Sequence, residues 1–314
     1  MQTIGNPVLW AGFIAFVLAM LALDLGVFHK KAHSVGFKEA AIWSGVWVSL
    51  SLFFNAGLAW HFGATRGMEF LTGYVLEKSL SVDNVFVFII IFSTLKVPAQ
   101  SQHRVLFWGI IAALLLRAAM IFAGAALLTR FHWLIYIFGA FLIFTGVQLF
   151  RHWRSGTDGG SKLIKLAYKY VPSTPTFEGQ KFFRVENGKR LATPLFMALV
   201  LVEASDVIFA LDSIPAIFAV TTDPFIVFTS NIFAILGLRS LYFLLSGMVD
   251  KFRFLKPALA SVLVFVGAKM AFAEWVTAPS WVSLGVIALL LAVGVAASLR
   301  WPTRAPVPER ASAS

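Results

Sequence analysis

An all-α membrane protein is the fold class this sequence predicts, and three observations predict it. Hydrophobic residues make up 59% of the 314 residues and charged residues only 13%, where soluble domains carry about 25%. Mean hydropathy is accordingly high, at +0.82. Apolar runs of about twenty residues recur along the chain, each long enough to cross a hydrocarbon core of about 30 Å. Lys and Arg also alternate from loop to loop instead of spreading evenly.

Taken in order, the apolar runs predict nine spans, near 7–28, 40–60, 70–95, 105–129, 132–150, 194–220, 225–247, 256–274 and 280–299. The first is a retained span, because it lacks a basic leader and a small-residue cleavage site. Of the 26 Lys and Arg, twenty fall in the segments after spans one, three, five, seven and nine. Only Arg66 and Arg130 fall on the other side, and Lys78, Arg117, Arg239 and Lys269 lie within spans. The positive-inside rule then puts the N-terminus outside and the C-terminus in the cytoplasm. The net charge of +11 reads as topology, not as nucleic-acid binding. Trp60, Trp133, Trp275 and Trp281 sit where interface anchors belong.

The chain divides into a first membrane half at 1–151, a hydrophilic cytoplasmic connection at 152–193, a second half at 194–301 and a disordered Pro/Ala/Ser tail at 302–314. The connection reads as a solvated loop. Within it, Lys162, Lys165 and Lys169 are interleaved with apolar residues, a pattern that suits a short helix on an anionic leaflet.

Apart from Glu274 at the last position of a span, six carboxylates fall inside the apolar spans, and five of them belong to two segments. One reads Glu77-Lys78-Ser79-Leu80-Ser81-Val82-Asp83-Asn84, and the other runs from Glu203-Ala204-Ser205-Asp206 to Asp212-Ser213-Ile214-Pro215. An acid at mid-bilayer costs roughly 2.5–3.5 kcal/mol on insertion scales, so a polar path for a cation is the natural reading. At about 100° per residue, Glu77, Ser81 and Asn84 share a face, Glu203 and Asp206 lie close together, and Asp206 and Ser213 align. Asp212 points away from Glu203 in a regular helix. A break at Asp212–Pro215 would swing it back and free the carbonyl of Leu211, with a simple proline kink as the competing reading. The resemblance of Asp83-Asn84-Val85-Phe86 to Asp206-Val207-Ile208-Phe209 on antiparallel spans suggests an inverted repeat with a shared midplane site.

Carboxylates, an amide and hydroxyls without any cysteine suit a hard cation such as Mn²⁺, Mg²⁺ or Ca²⁺. Arg117 and Arg239 need acidic partners. Lys78 would either pair with an acid or stand in for a departing cation, and Lys269 can snorkel from a span end. Asp24 fits either the cavity or its mouth. His29, His33, His61, His103, His132 and His152 fall at span ends or in loops, which predicts interfacial or solvated side chains and no zinc site. No Walker loop or dinucleotide fingerprint occurs, and no nucleophile–base arrangement argues for an enzyme. The residues leave three readings open: a transporter of hard divalent cations, a broader divalent-cation/proton antiporter, and a non-transporting membrane scaffold.

Several stretches resemble the TerC/Alx family. They are Glu77 to Asn84, Ala192-Thr193-Pro194-Leu195-Phe196, Glu203 to Asp206, Phe209 to Ala216 and Thr229-Ser230-Asn231 through Leu238-Arg239-Ser240-Leu241-Tyr242, with Ala32-His33-Ser34-Val35 near the N-terminus. The resemblance implies a multi-pass protein of the bacterial inner membrane, related to the LysE exporter superfamily and associated with manganese efflux and tellurium resistance. It implies Mn²⁺ as a transported substrate and a role in metal or alkaline-pH homeostasis; the clustered buried carboxylates, which titrate as a coupled group, add protons as an exchanged ion, and no resident cofactor is expected. It also carries Glu77, Asp83, Asn84, Glu203, Asp206 and Asp212 over as ion-site residues, with Ser81, Ser213, Lys78, Arg117 and Arg239 in support.

Overall fold

The computed structural model describes residues 3–28, 36–131, 133–155, 173–174, 176–186, 189–246, 254–272 and 280–301. Five helices form the first half: α1 (Pro7–Phe28), α2 (Phe37–Phe62), α3 (Ala64–Thr94), α4 (Ala99–Arg130) and α5 (Leu134–Ser155). A small antiparallel hairpin follows, β1 (Phe183–Glu186) and β2 (Lys189–Ala192), with Phe183 opposite Ala192. The second half comprises α6 (Pro194–Phe218), α7 (Pro224–Leu236), α8 (Leu238–Ser246), α9 (Leu255–Ala271) and α10 (Ser280–Arg300). The chain is thus an all-α polytopic membrane protein. Six stretches among the described residues are long and apolar enough to cross a bilayer, one of them formed by α7 and α8 together. The internal repeat suggested by the two acidic motifs is not established by this packing.

Local sequence explains the helix starts. Pro194 and Pro224 occupy first-turn positions, where a missing N–H costs nothing. Asp223 caps α7 by accepting from the backbone N–H of Phe225 at 2.9 Å. The same carboxylate accepts from the Thr3 hydroxyl and the Ile4 N–H, at 2.7 and 2.8 Å, which fastens the N-terminal segment to the start of α7.

α3 lies at the centre, packed by α2, α6, α7, α8 and α10. An aromatic cluster of Phe13, Phe54, Phe70, Phe225 and Phe233 joins α1, α2, α3 and α7, with Phe54 and Phe233 centroids 5.0 Å apart. Such pairs contribute about 0.5–1.5 kcal/mol each beyond their burial. On the other side α5 and α9 meet through glycine. A Cβ built on Gly139 would fall 2.9 Å from the Gly267 carbonyl oxygen, and one on Gly267 would fall 2.7 Å from that of Gly139. Only hydrogen fits there, as in other close-packed membrane helices.

Several expectations change here. The helix around Asp212 is not broken: α6 runs through Asp212 and Pro215 to Phe218. The interruption lies one span later, at Gly237 between α7 and α8. A Cβ at Gly237 would come within 2.6 Å of Lys78 Nζ and 3.3 Å of Trp47 Cβ, so these two side chains lie close against that backbone. The connection between the halves is not wholly loop, since it contains the β1–β2 hairpin. His103 is buried, not solvated. The Lys162–Lys169 stretch, the tail from residue 302, Trp275, His29, His33 and His132 lie outside the described residues, as do the side chains of Asp24 and His152.

Candidate functional site: a buried arginine–carboxylate cluster

The polar centre of the molecule is assembled around Arg117, a long side chain that is 1% exposed in the middle of α4. Its guanidinium meets Asp206 of α6 along one edge, with Nε 3.3 Å from Oδ2 and Nη2 2.9 Å from Oδ1. Nη1 donates to Glu77 of α3, to Asn231 Oδ1 of α7 at 2.9 Å and to Ser213 Oγ of α6 at 3.4 Å. The planar fork of Arg suits such two-edged recognition of carboxylates. Asn84 of α3 completes the ring by donating to Asp206 Oδ1 at 3.2 Å, while Asn231 is itself anchored to the Val227 carbonyl at 3.1 Å.

Helix periodicity places these groups. Glu77 and Asn84 are seven residues apart on α3, and Asp206 and Ser213 seven apart on α6, so each pair returns to one face after two turns. One guanidinium therefore faces two carboxylates in a dry interior, and oxygens are left over. Among the described residues Glu77 Oε2 and Asn84 Oδ1 have no hydrogen-bond partner, and neither does either oxygen of Glu203. Buried acceptors without partners typically cost about 1–3 kcal/mol each.

Glu203 sits one turn before Asp206 on α6. A Cβ added at Gly109 of α4 would fall 3.2 Å from Glu203 Oε1, so the bare glycine lets the carboxylate lie against α4. Glu203, Asp206 and Arg239 line a cavity of about 10 Å³ walled by Phe88, Leu106 and Ala113, at the lower limit for one water molecule.

The remaining predicted site residues lie elsewhere. Asp212 faces α5 near Thr145, whose hydroxyl donates to the Phe141 carbonyl at 3.0 Å. The geometry thus separates it from the Arg117 cluster. Ser81 donates to its own helix, at the Glu77 carbonyl, 2.7 Å away. Lys78 Nζ donates to the Ala234 carbonyl at 3.3 Å, beside the Gly237 interruption. The Asp83 side chain lies outside the described atoms. Among the described residues no three His, Asp or Glu side chains converge as a metal-holding group. Sequence reasoning passed over Asn231, Gly109 and Thr145. Asn231 was legible as an amide in an apolar run, a polar group that would need a partner in lipid. Gly109 and Thr145 carried no such signal.

Comparisons with known proteins agree with this architecture. The family model for the integral membrane protein TerC family matches residues 62–305. An uncharacterized membrane protein of Myxococcus xanthus, STKORF319, is 65% identical over 306 residues, covering 97% of this chain and 96% of its own. A protein of Escherichia coli K12 that carries the name membrane-bound redox modulator Alx is 50% identical over 297 residues, covering 91% and 92%. A membrane protein of Rickettsia bellii is 44% identical over 291 residues, covering 92% and 96%. No solved structure is significantly similar to the chain. With a family match across most of its length and relatives this similar over nearly all of it, the chain belongs to the integral membrane protein TerC family.

Proposed function

We propose that this protein is a secondary transporter that exports a hard divalent cation, Mn²⁺ by family resemblance, through the carboxylate cluster around Arg117, with protons as the exchanged ion. The observation that carries the reading is a group of buried acceptor oxygens that, among the described residues, lack hydrogen-bond partners. Glu77 and Asp206 share the Arg117 guanidinium, Glu203 lines a small cavity with Asp206 and Arg239, and four oxygens of Glu77, Asn84 and Glu203 remain unpartnered among the described residues. An enclosed group of carboxylate and amide oxygens is what a hard cation exchanges its hydration shell for. A broader divalent-cation/proton antiporter uses the same groups.

A second reading, a membrane scaffold held by a structural ion network, is favoured by the absence of a converged metal-holding group among the described residues. The relatives' name points towards redox balance. With no cysteine in these 314 residues, thiol–disulfide exchange within this chain would not provide it, whereas a changed metal balance would act indirectly.

Flux across proteoliposomes carrying the purified protein decides between these readings. Transport predicts Mn²⁺ movement above empty vesicles that responds to an imposed pH gradient, in a panel with Mg²⁺, Ca²⁺ and Zn²⁺. No flux of any divalent ion in correctly inserted protein would favour the scaffold.

A further inference from the structure

Arg117 engages the same kinds of atoms that a hard cation would: carboxylate oxygens of Glu77 and Asp206, the amide oxygen of Asn231 and the hydroxyl of Ser213. They come from three helices, so the guanidinium holds α3, α6 and α7 together as a bound ion would. It does not exhaust them, because Glu77 Oε2 and Asn84 Oδ1 remain unpartnered beside it. One turn away, both oxygens of Glu203 are buried and unpartnered. α4 and α6 run side by side in the same direction, with Gly109 against Glu203, Arg117 against Asp206 and Gly124 against Ile214 and Phe218. A helical side chain leans towards its own N-terminus, which for Arg117 is the direction of Glu203. Along α6 the two carboxylates differ by three residues, about 4.5 Å of helix rise.

We propose that Arg117 is a tethered cation that competes with the transported ion for Glu77 and Asp206, and that Glu203 is the carboxylate that receives its guanidinium when the ion binds. This rests on the transport reading given above and adds to it a device that keeps the site closed when empty. In the ion-free state the fork bridges both carboxylates and occupies the site. An entering divalent ion brings enough charge to displace it, and the guanidinium moves one turn to Glu203, where it satisfies oxygens that otherwise have no partner. With the ion bound, Glu77 and Asp206 face the divalent charge and Glu203 faces the guanidinium, so each of these buried groups has a partner.

The test measures Mn²⁺ binding to the purified full-length protein in detergent, for wild type, Arg117→Gln, Arg117→Lys and Glu203→Gln. With the competitor removed, Arg117→Gln should bind Mn²⁺ at least about tenfold more tightly, yet fail to turn over in proteoliposomes. Arg117→Lys keeps the charge but loses the bidentate fork, so it should bind severalfold more tightly than wild type; it also serves if the Gln variant does not fold. Glu203→Gln should bind severalfold more weakly, because the displaced guanidinium has no partner. Unchanged or weaker Mn²⁺ affinity in a folded Arg117 variant overturns the proposal, as does Glu203→Gln binding as wild type does. The two ideas fail separately. Wild-type flux with an unaffected Arg117 variant sinks the competition and leaves transport standing. Tight binding in Arg117→Gln without wild-type flux leaves the competition standing and sinks transport.

Discussion

The α5–α9 contact and the α3–α4–α6–α7 centre hold helices together by opposite means. At the first, Gly139, Gly146 and Gly267 bring backbones together so closely that any side chain would collide with a carbonyl or amide. At the second, Arg117 spans the gap and is met by Glu77, Asp206, Asn231 and Ser213. Lipid tails are as apolar as leucine, so membrane helices associate through packing and polar contacts, without a hydrophobic drive between them. The glycine contact is rigid and has one arrangement. The polar centre has spare acceptors and so more than one way to be satisfied. Structure can be secured by the first kind of contact while a site is made from the second.

The sharpest way to break that comparison is to strip the centre of its cation. Arg117→Ala leaves two buried carboxylates facing each other, and detergent-resistant folding should fall by about 3–5 kcal/mol, measured by reversible unfolding of the purified protein. Gly267→Val should come next. Its side chain would meet the Gly139 carbonyl, and such overpacking typically costs about 1–3 kcal/mol. Because α5 and α9 lie away from the Arg117 cluster, the protein that does fold should keep its relative cation affinity. Smaller still is Thr145→Val, which removes the hydroxyl beside Asp212 and should cost about 1 kcal/mol. At the bottom is Lys181→Ala in the turn before β1. Lys181 holds the Glu178 carboxyl below its ordinary range through a 2.6 Å hydrogen bond, but both groups are in water. The melting temperature should not move measurably at any pH.

Much of this was legible in the sequence, and what was not has a physical reason. Hydropathy located the helices because bilayer thickness fixes span length. Angular arithmetic put Glu77 with Asn84 and Asp206 with Ser213, since those positions depend on one helix alone. It also predicted that Arg117 would need acids, but not which ones. That choice depends on how four helices pack, and no single-helix pattern encodes it. Asp212 was misread for a related reason. Pro215 removes one backbone donor, which α6 tolerates without unwinding, and Asp212 stays on the face turned to α5 near Thr145. The helix interruption falls at Gly237, where Lys78 and Trp47 approach the backbone, a tertiary setting that glycine alone does not announce.

In the proposed transporter the ion binds at the Arg117 cluster and not at Asp212. Mn²⁺ flux in proteoliposomes carrying Asp206→Asn or Asp212→Asn, at matched membrane abundance, tests it directly. Replacing an acid with its amide keeps the shape and removes one negative charge. The account predicts that Asp206→Asn abolishes flux while Asp212→Asn keeps most of it, since only Asp206 touches the guanidinium. Wild-type flux in Asp206→Asn, or its loss in Asp212→Asn alone, would contradict it.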